Sequence, residues 1–256
     1  TGLGRLDVPP AAPIAHGTTT ATNALLERQG AKAALVTTEG FADVLAIGRQ
    51  DRPDLYDLTP TRPDPLVPAA RRHEVPERIS AEGDILTPLD EAAVRRVARV
   101  LEEQNVQSVA LAFLFSYRNP EHEKRAAELL RDELPEEVPV TRSSALLPEH
   151  REYERTATTV ANAYVRPVVQ CYLTRLDAEV GNRPGRVMQS SGGTIGLETA
   201  GAQAARLALS GPAGGVVGAL GVARRALDAD APPIMTLDMG GTSADVALCD
   251  GEVPRT

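Results

Sequence analysis

Cysteine is scarce: Cys171 and Cys249 are the only two in 256 residues. Neither lies in a Cys-x-x-Cys or Cys/His ligand spacing, and two reduced thiols in a cytosolic protein are expected. The four histidines, His16, His73, His122 and His150, are scattered singly, and a zinc site built from sequence neighbours has no support. Basic residues are in deficit, with 27 Lys and Arg against 35 Asp and Glu and a net charge of -8. That is the wrong sign for a phosphate-backbone binder. No apolar run approaches the ~18 residues of a membrane span, and the opening Thr1-Gly2-Leu3-Gly4-Arg5-Leu6-Asp7 has no signal-peptide pattern. The expectation is a soluble, cytoplasmic protein with no nucleic-acid or membrane partner.

What is present is ordinary globular composition, 42% hydrophobic and 24% charged, enough for one large domain or two smaller ones. A Gly-Thr-Thr-Thr cluster at 17–20 precedes a helical segment, Asn23 to Arg28. Its threonines are expected to cap the helix start, and Gly30 to supply a left-handed C-terminal cap. Ala33 to Thr38 reads as a short buried strand. Prolines 60, 63, 65, 68 and 76 make Thr59 to Pro76 a surface excursion. A helix from about Asp90 carries Val94, Val97, Ala98 and Leu101 inward, and Val106 to Phe115 reads as a central strand. A second pair follows, a helix opened by Asn119-Pro120 and a strand at Val138-Pro139-Val140.

Tyr153 to Val180 is the longest helical pattern, with Tyr164, Val168 and Tyr172 on its apolar face and a kink or break expected at Pro167. Arg186 to Ser190 reads as a strand running into Ser191-Gly192-Gly193. A helix is expected from Leu197 to Leu209, resuming after Ser210-Gly211-Pro212-Ala213-Gly214-Gly215. Two apolar runs, Ile234 to Asp238 and Ala244 to Cys249, bracket glycines as a β-hairpin does. Alternating strands and helices argue for an α/β fold.

The sharpest chemical signal is Leu237-Asp238-Met239-Gly240-Gly241-Thr242-Ser243-Ala244-Asp245. Adjacent glycines let backbone amides approach a phosphate, Thr242 and Ser243 add hydroxyl donors, and Asp238 and Asp245 make sense beside phosphate only if a hard cation such as Mg2+, or a water, separates the like charges. An ordinary hairpin turn is the competing explanation. Ser210 to Gly215 opens a helix whose amides can hold an anion, with close packing of small residues as the alternative. Arg49 and Arg52 with Asp51 suit a bidentate grip on carboxylate or phosphate, or a solvated loop. Ser191 and Gly192 follow a strand and can present amides to a ligand. His16 titrates near neutrality and suits proton transfer or a substrate hydrogen bond; packing at a helix entry is the other reading. Tyr153, Glu154 and Arg155 are assigned to packing and capping.

These segments resemble, in order and over nearly the whole chain, the hydantoinase A/5-oxoprolinase family of the actin-like ATPase and sugar-kinase superfamily. The matching motifs are His16-Gly17-Thr18-Thr19 running to Arg28, Leu35-Val36-Thr37-Thr38, Gly48-Arg49-Gln50-Asp51-Arg52-Pro53 and Tyr153-Glu154-Arg155-Thr156. They continue with Asn162-Ala163-Tyr164-Val165-Arg166-Pro167, Gln189-Ser190-Ser191-Gly192-Gly193, Ser210-Gly211-Pro212-Ala213 and the hairpin. The resemblance implies an actin-like ATPase (ribonuclease H-like) α/β fold with mixed sheets flanked by helices. It also implies a truncated N-terminal region at 1–151 and the first part of a hydantoinase A/oxoprolinase domain at 152–256, including the phosphate-binding hairpin 234–249. The activity implied is ATP-dependent ring opening of a cyclic amide, such as 5-oxoproline or a hydantoin, by phosphorylation of the ring carbonyl oxygen.

Carried onto this chain, the resemblance assigns catalytic roles to His16, Asp238 and Asp245, with Asp238 on Mg2+. It assigns ATP binding to Gly240, Gly241, Thr242, Ser243, Gly211 and Gly214, and substrate binding to Thr18, Thr19, Arg49, Arg52, Ser191 and Gly192. A hydantoinase B-type partner subunit or domain is expected. The chain departs from the family pattern in having no Asp-Gly-Gly-Thr loop before His16, in stopping at Thr256, and in carrying Ala244 where the family usually has Thr. It is therefore expected to be a fragment lacking both ends and inactive alone. An acetone carboxylase-type subunit and a non-catalytic interaction module are the alternatives.

Overall fold

The computed structural model of the chain describes residues 13–51, 56, 63–181, 183–227, 233–239 and 244–250. It divides into two compact units, one made of the described residues up to Gln29 with those from Val168 onward, the other of Gly30–Pro167.

The first unit begins with β1 (Ile14–His16) and α1 (Thr20–Leu26). The second unit then runs β2 (Ala33–Thr38), α2 (Val44–Ile47), β3 (Arg72–Val75), β4 (Arg78–Ile79), β5 (Ile85–Thr87), α3 (Glu91–Glu103), β6 (Ser108–Ala112), α4 (Glu121–Glu133), β7 (Val140–Arg142) and α5 (Ser143–Leu146). α6 (Glu152–Val180) passes the boundary at Pro167. The first unit resumes with β8 (Gly185–Met188), β9 (Thr194–Gly196), α7 (Leu197–Ala202), α8 (Ser210–Leu227), β10 (Pro233–Met239) and β11 (Ala244–Asp250).

In the second unit β3, β2, β6 and β7 form, in that order, an all-parallel sheet. Every residue of β2 and β6 is buried, which explains their unbroken apolar runs in place of alternation. Val94, Ala98 and Leu101 of α3 and Ala126, Leu129 and Leu130 of α4 pack with Val36, Val109 and Leu111 into one core. Asp90 caps α3, its carboxylate accepting from the Ala93 amide at 2.9 Å. The expected surface excursion ends early, because Arg72–Val75 adds to β2 as an edge strand between Pro68 and Pro76. An edge position tolerates flanking proline. The third expected strand is displaced to Val140–Arg142.

Gly30 is not the left-handed cap. Positive φ falls on Arg28 (56°), and Gly30 is small because a Cβ there would lie 2.2 Å from the Tyr164 ring. Ala31 N–H donates to Tyr164 C=O at 2.8 Å and holds the two backbones at that separation. Of the kink or break expected at Pro167, the break is absent, since α6 is helical across it.

In the first unit β1 pairs parallel with β8, and β8 antiparallel with β9, a strand missing from the sequence reading. The expected helix 197–209 is instead α7 followed by a 3-10 turn, Ala204–Leu207, and α8 begins at Ser210, taking the glycine-rich segment inside it. β10 and β11 form the expected antiparallel hairpin, with Asp238 directly opposite Asp245. α8 packs against β8 and β10.

Candidate functional site

Because β1 and β8 run parallel, with His16 in register with Val187, their carboxyl ends open on one side of the sheet, where ligands of open α/β sheets bind. His16-Gly17-Thr18-Thr19 leaves β1 there and Gln189-Ser190-Ser191-Gly192 leaves β8. The N-terminus of α8 joins them. Ser210 Oγ–H donates to Thr18 C=O at 2.9 Å and accepts from Thr18 N–H at 3.4 Å, linking positions 192 apart. Leu209 N–H donates to Thr22 Oγ1 at 2.8 Å, tying the residue before α8 to α1. A Cβ on Gly211 would come within 2.8 Å of Thr19 Cγ2 and 3.6 Å of the Thr18 carbonyl. Close approach of the two motifs thus accounts for Gly211, whereas a Cβ on Gly214 would make only an ordinary 3.6 Å contact with Met188.

The head of α8 has few amides for an anion. Pro212 has none, and Ala213 N–H donates to Leu209 C=O at 3.2 Å. What it supplies is the positive end of an 18-residue helix. The N-cap of α1 is Thr19, whose side chain makes no capping hydrogen bond; Thr18 Oγ1, just outside the helix, accepts from Thr20 N–H at 3.2 Å. Thr18 is buried and Thr19 exposed.

His16 Nε2 lies 2.5 Å from Tyr172 Oη on α6, and burial lowers the imidazole pKa below its usual value. Tyr172 was legible only as part of an apolar helix face, so the sequence contained no signal for this pairing. Ser191 and Gly192 sit in the turn joining β8 to β9. Gly192 N–H donates to Gln189 C=O at 3.2 Å, and Ser190 N–H donates to Arg206 C=O at 2.9 Å, which anchors the turn to the 3-10 segment.

On the hairpin, Asp238 is exposed and Asp245 half-buried. The two lie at directly paired positions, where like charges repel. Among the described residues no group of three or more His, Cys, Asp or Glu is placed to hold a metal ion. Magnesium does not require one, since it binds through one or two carboxylates with water and phosphate completing its shell. Gly240, Gly241, Thr242 and Ser243 lie outside the described residues, as does Arg52.

The second unit holds a separate cavity of about 650 Å³, lined among others by Gly48, Arg49, Asp51, Asp64, Tyr153 and Thr158. Arg49 Nε donates to Glu154 at 2.8 Å, so one edge of its guanidinium is already engaged. Glu154 titrates below the usual carboxylate range because of its own backbone amide first and Arg49 next. Arg155 is buried, donating to Glu149 C=O at 2.8 Å and Phe113 C=O at 3.0 Å, which fits the packing role expected of it.

Two buried carboxylates in this unit escaped the sequence reading. Glu123 accepts from Phe113 N–H (2.9 Å), Ser143 Oγ–H (2.6 Å) and Ser144 N–H (2.9 Å). Glu77 pairs with His122 Nδ1 at 2.7 Å and accepts from the Thr38 hydroxyl. Among the described residues no helix is long and apolar enough to cross a membrane.

Comparison with known proteins matches the hydantoinase/oxoprolinase N-terminal region over residues 7–134 and the hydantoinase/oxoprolinase domain over 155–256. Caprolactamase subunit alpha of Pseudomonas jessenii is 40% identical, the alignment covering 92% of this chain and 34% of that protein. 5-Oxoprolinase 1 of Arabidopsis thaliana is 35% identical, over 93% of this chain and 20% of that one. Among solved structures, nucleotide-free acetone carboxylase, from work on ATP-dependent acetone carboxylation, superposes with a TM-score of 0.82 at 30% identity, covering 93% of this chain and 35% of that chain. The chain spans about a third or less of the length of these relatives. With both family regions matched in order and an α/β architecture shared with the acetone carboxylase chain, this polypeptide belongs to the hydantoinase/oxoprolinase family and has its actin-like ATPase fold.

Proposed function

We propose that the chain is part of a longer ATP-dependent enzyme that opens a cyclic amide, such as 5-oxoproline or a hydantoin, and works with a hydantoinase B-type partner subunit or domain. The observation that supports this most is the joining of His16-Gly17-Thr18-Thr19 to Ser210-Gly211 at the carboxyl ends of β1 and β8, under the positive end of α8. ATP with Mg2+ supplies a phosphoryl group that turns an unreactive amide oxygen into a leaving group. The chain's own contribution is positioning. Ser210 and Thr18 hold the β1 exit against the helix head, Asp238 and Asp245 would hold the cation, and Ser191 and Gly192 border the opening from β8.

The test is phosphate release by the longer enzyme with ATP, Mg2+ and a panel of 5-oxoproline, hydantoin and caprolactam, alongside a ketone with bicarbonate. Lactam-stimulated release supports ring opening. Release with ketone and bicarbonate alone transfers support to the acetone carboxylase-type reading. Calorimetric titration of this chain with Mg2+-ATP bears on a non-catalytic interaction module: binding lost in Asp238→Ala supports a retained phosphate site, and no binding leaves the module reading standing.

A further inference from the structure

We infer that Tyr172 is a positioning residue for His16: its hydroxyl donates to Nε2 and holds the imidazole as the Nδ1–H tautomer, so that the ring's remaining hydrogen-bonding group is a donor.

The contact is polar and edge-on. Nε2 and Oη are 2.5 Å apart while the ring centroids stand 5.8 Å apart with planes 31° from parallel, so the rings meet through their heteroatoms and do not stack. A neutral imidazole has one N–H and one lone pair, and a phenol can give or accept. The direction follows from acid strength. A phenol, with a pKa near 10, is a far stronger acid than a neutral imidazole N–H, and an imidazole lone pair, whose conjugate acid titrates near 6.5, is a far stronger base than a phenol oxygen. The stronger donor therefore meets the stronger acceptor as O–H to Nε2, and the ring proton is left on Nδ1. Burial works in the same sense by disfavouring imidazolium, in which both nitrogens would donate.

The consequence for chemistry rests on the function proposed above. His16 ends β1, directly before Gly17 and Thr18. With its lone pair engaged by Tyr172, the ring cannot take a proton from an attacking water. It can hold a carbonyl or phosphoryl oxygen through Nδ1–H as negative charge develops there. His16 is thus an oxygen-holding group, and Tyr172, on a helix remote in sequence, sets which nitrogen does the holding.

The test is 15N NMR of the chain with 15N-labelled histidine at about pH 8, above the ordinary imidazole range. Only four histidines occur, and His16→Gln identifies the signal. The expected spectrum has His16 Nε2 as the unprotonated, downfield nitrogen and Nδ1 as the protonated one. Tyr172→Phe should move His16 toward the Nε2–H tautomer, while unchanged His73 and His122 signals report an intact second unit. A protonated Nε2 in the wild type, or a His16 spectrum unmoved by Tyr172→Phe, overturns the assignment. In the longer enzyme Tyr172→Phe should lower kcat roughly tenfold with KM for ATP unchanged, and an unchanged kcat overturns the oxygen-holding role. An enzyme with the expected tautomer but no ATP-dependent activity on any substrate sinks the proposed reaction and leaves the tautomer assignment standing.

Discussion

Gly30→Ala separates two explanations of one glycine. If Gly30 were a left-handed helix cap, Ala would cost about 1 kcal/mol through backbone strain, and Asn, which tolerates that conformation, would cost less. The structure assigns the residue to close approach: an added Cβ would stand 2.2 Å from two Tyr164 ring carbons and 2.6 Å from a third. Tyr164 is only 8% exposed, so its ring has little room to move. Backing the chain away would lengthen the 2.8 Å bond from Ala31 N–H to Tyr164 C=O. Overpacking of this kind costs about 2–3 kcal/mol, or roughly a 1 M drop in urea midpoint at a slope near 2 kcal/mol/M. Asn, being larger, should cost more than Ala. In a double-mutant cycle Tyr164→Ala should relieve the clash, giving a coupling of about 1–2 kcal/mol between the two sites. Urea unfolding of the four proteins by circular dichroism is sufficient. A Gly30→Ala cost below about 0.5 kcal/mol, Asn tolerated better than Ala, or strict additivity would each refute the steric account.

Three further outcomes follow from the geometry. Ser210→Ala removes the hydroxyl that joins Thr18 to α8 and should cost about 1–2 kcal/mol, with faster amide exchange at Thr18 and Leu209; unchanged protection would show the link to be incidental. Glu123→Ala leaves the Phe113 and Ser144 amides without their acceptor and Ser143 Oγ with only Ser116 Oγ, 3.0 Å away. It should cost about 3–5 kcal/mol, more than Glu123→Gln, and equal costs in thermal unfolding would argue against the network. Burial holds His73 below the usual imidazole value, against a smaller raising effect of its bond to Gln104, so its neutral form is favoured in the folded state. The stability it contributes is complete above about pH 6.5 and is lost as pH falls through the lower folded value. The urea midpoint should therefore drop between about pH 7 and pH 5, and His73→Gln should flatten that drop; an unaltered slope would contradict it.

Features that depend on neighbours a few residues apart were legible in the chain before folding. The buried strands β2 and β6 were legible because full burial leaves an uninterrupted apolar run. α3 was legible from its 3.6-residue stripe starting near Asp90, α4 from Asn119-Pro120, and the β10–β11 hairpin from two apolar runs around glycines. The family followed from motif order. Which of these elements touch emerges only from the folded chain: Thr18 with Ser210 across 192 positions, His16 with Tyr172, Gly30 with the Tyr164 ring, and Arg72–Val75 with the edge of β2. A local pattern records that a side chain is buried or a backbone is extended, since those states constrain residue type directly. It does not record the partner, because many distant residues satisfy the same burial or the same hydrogen bond. Tyr172 looked like one more apolar position on a helix, and only the placement of α6 beside the end of β1 turned its hydroxyl toward an imidazole.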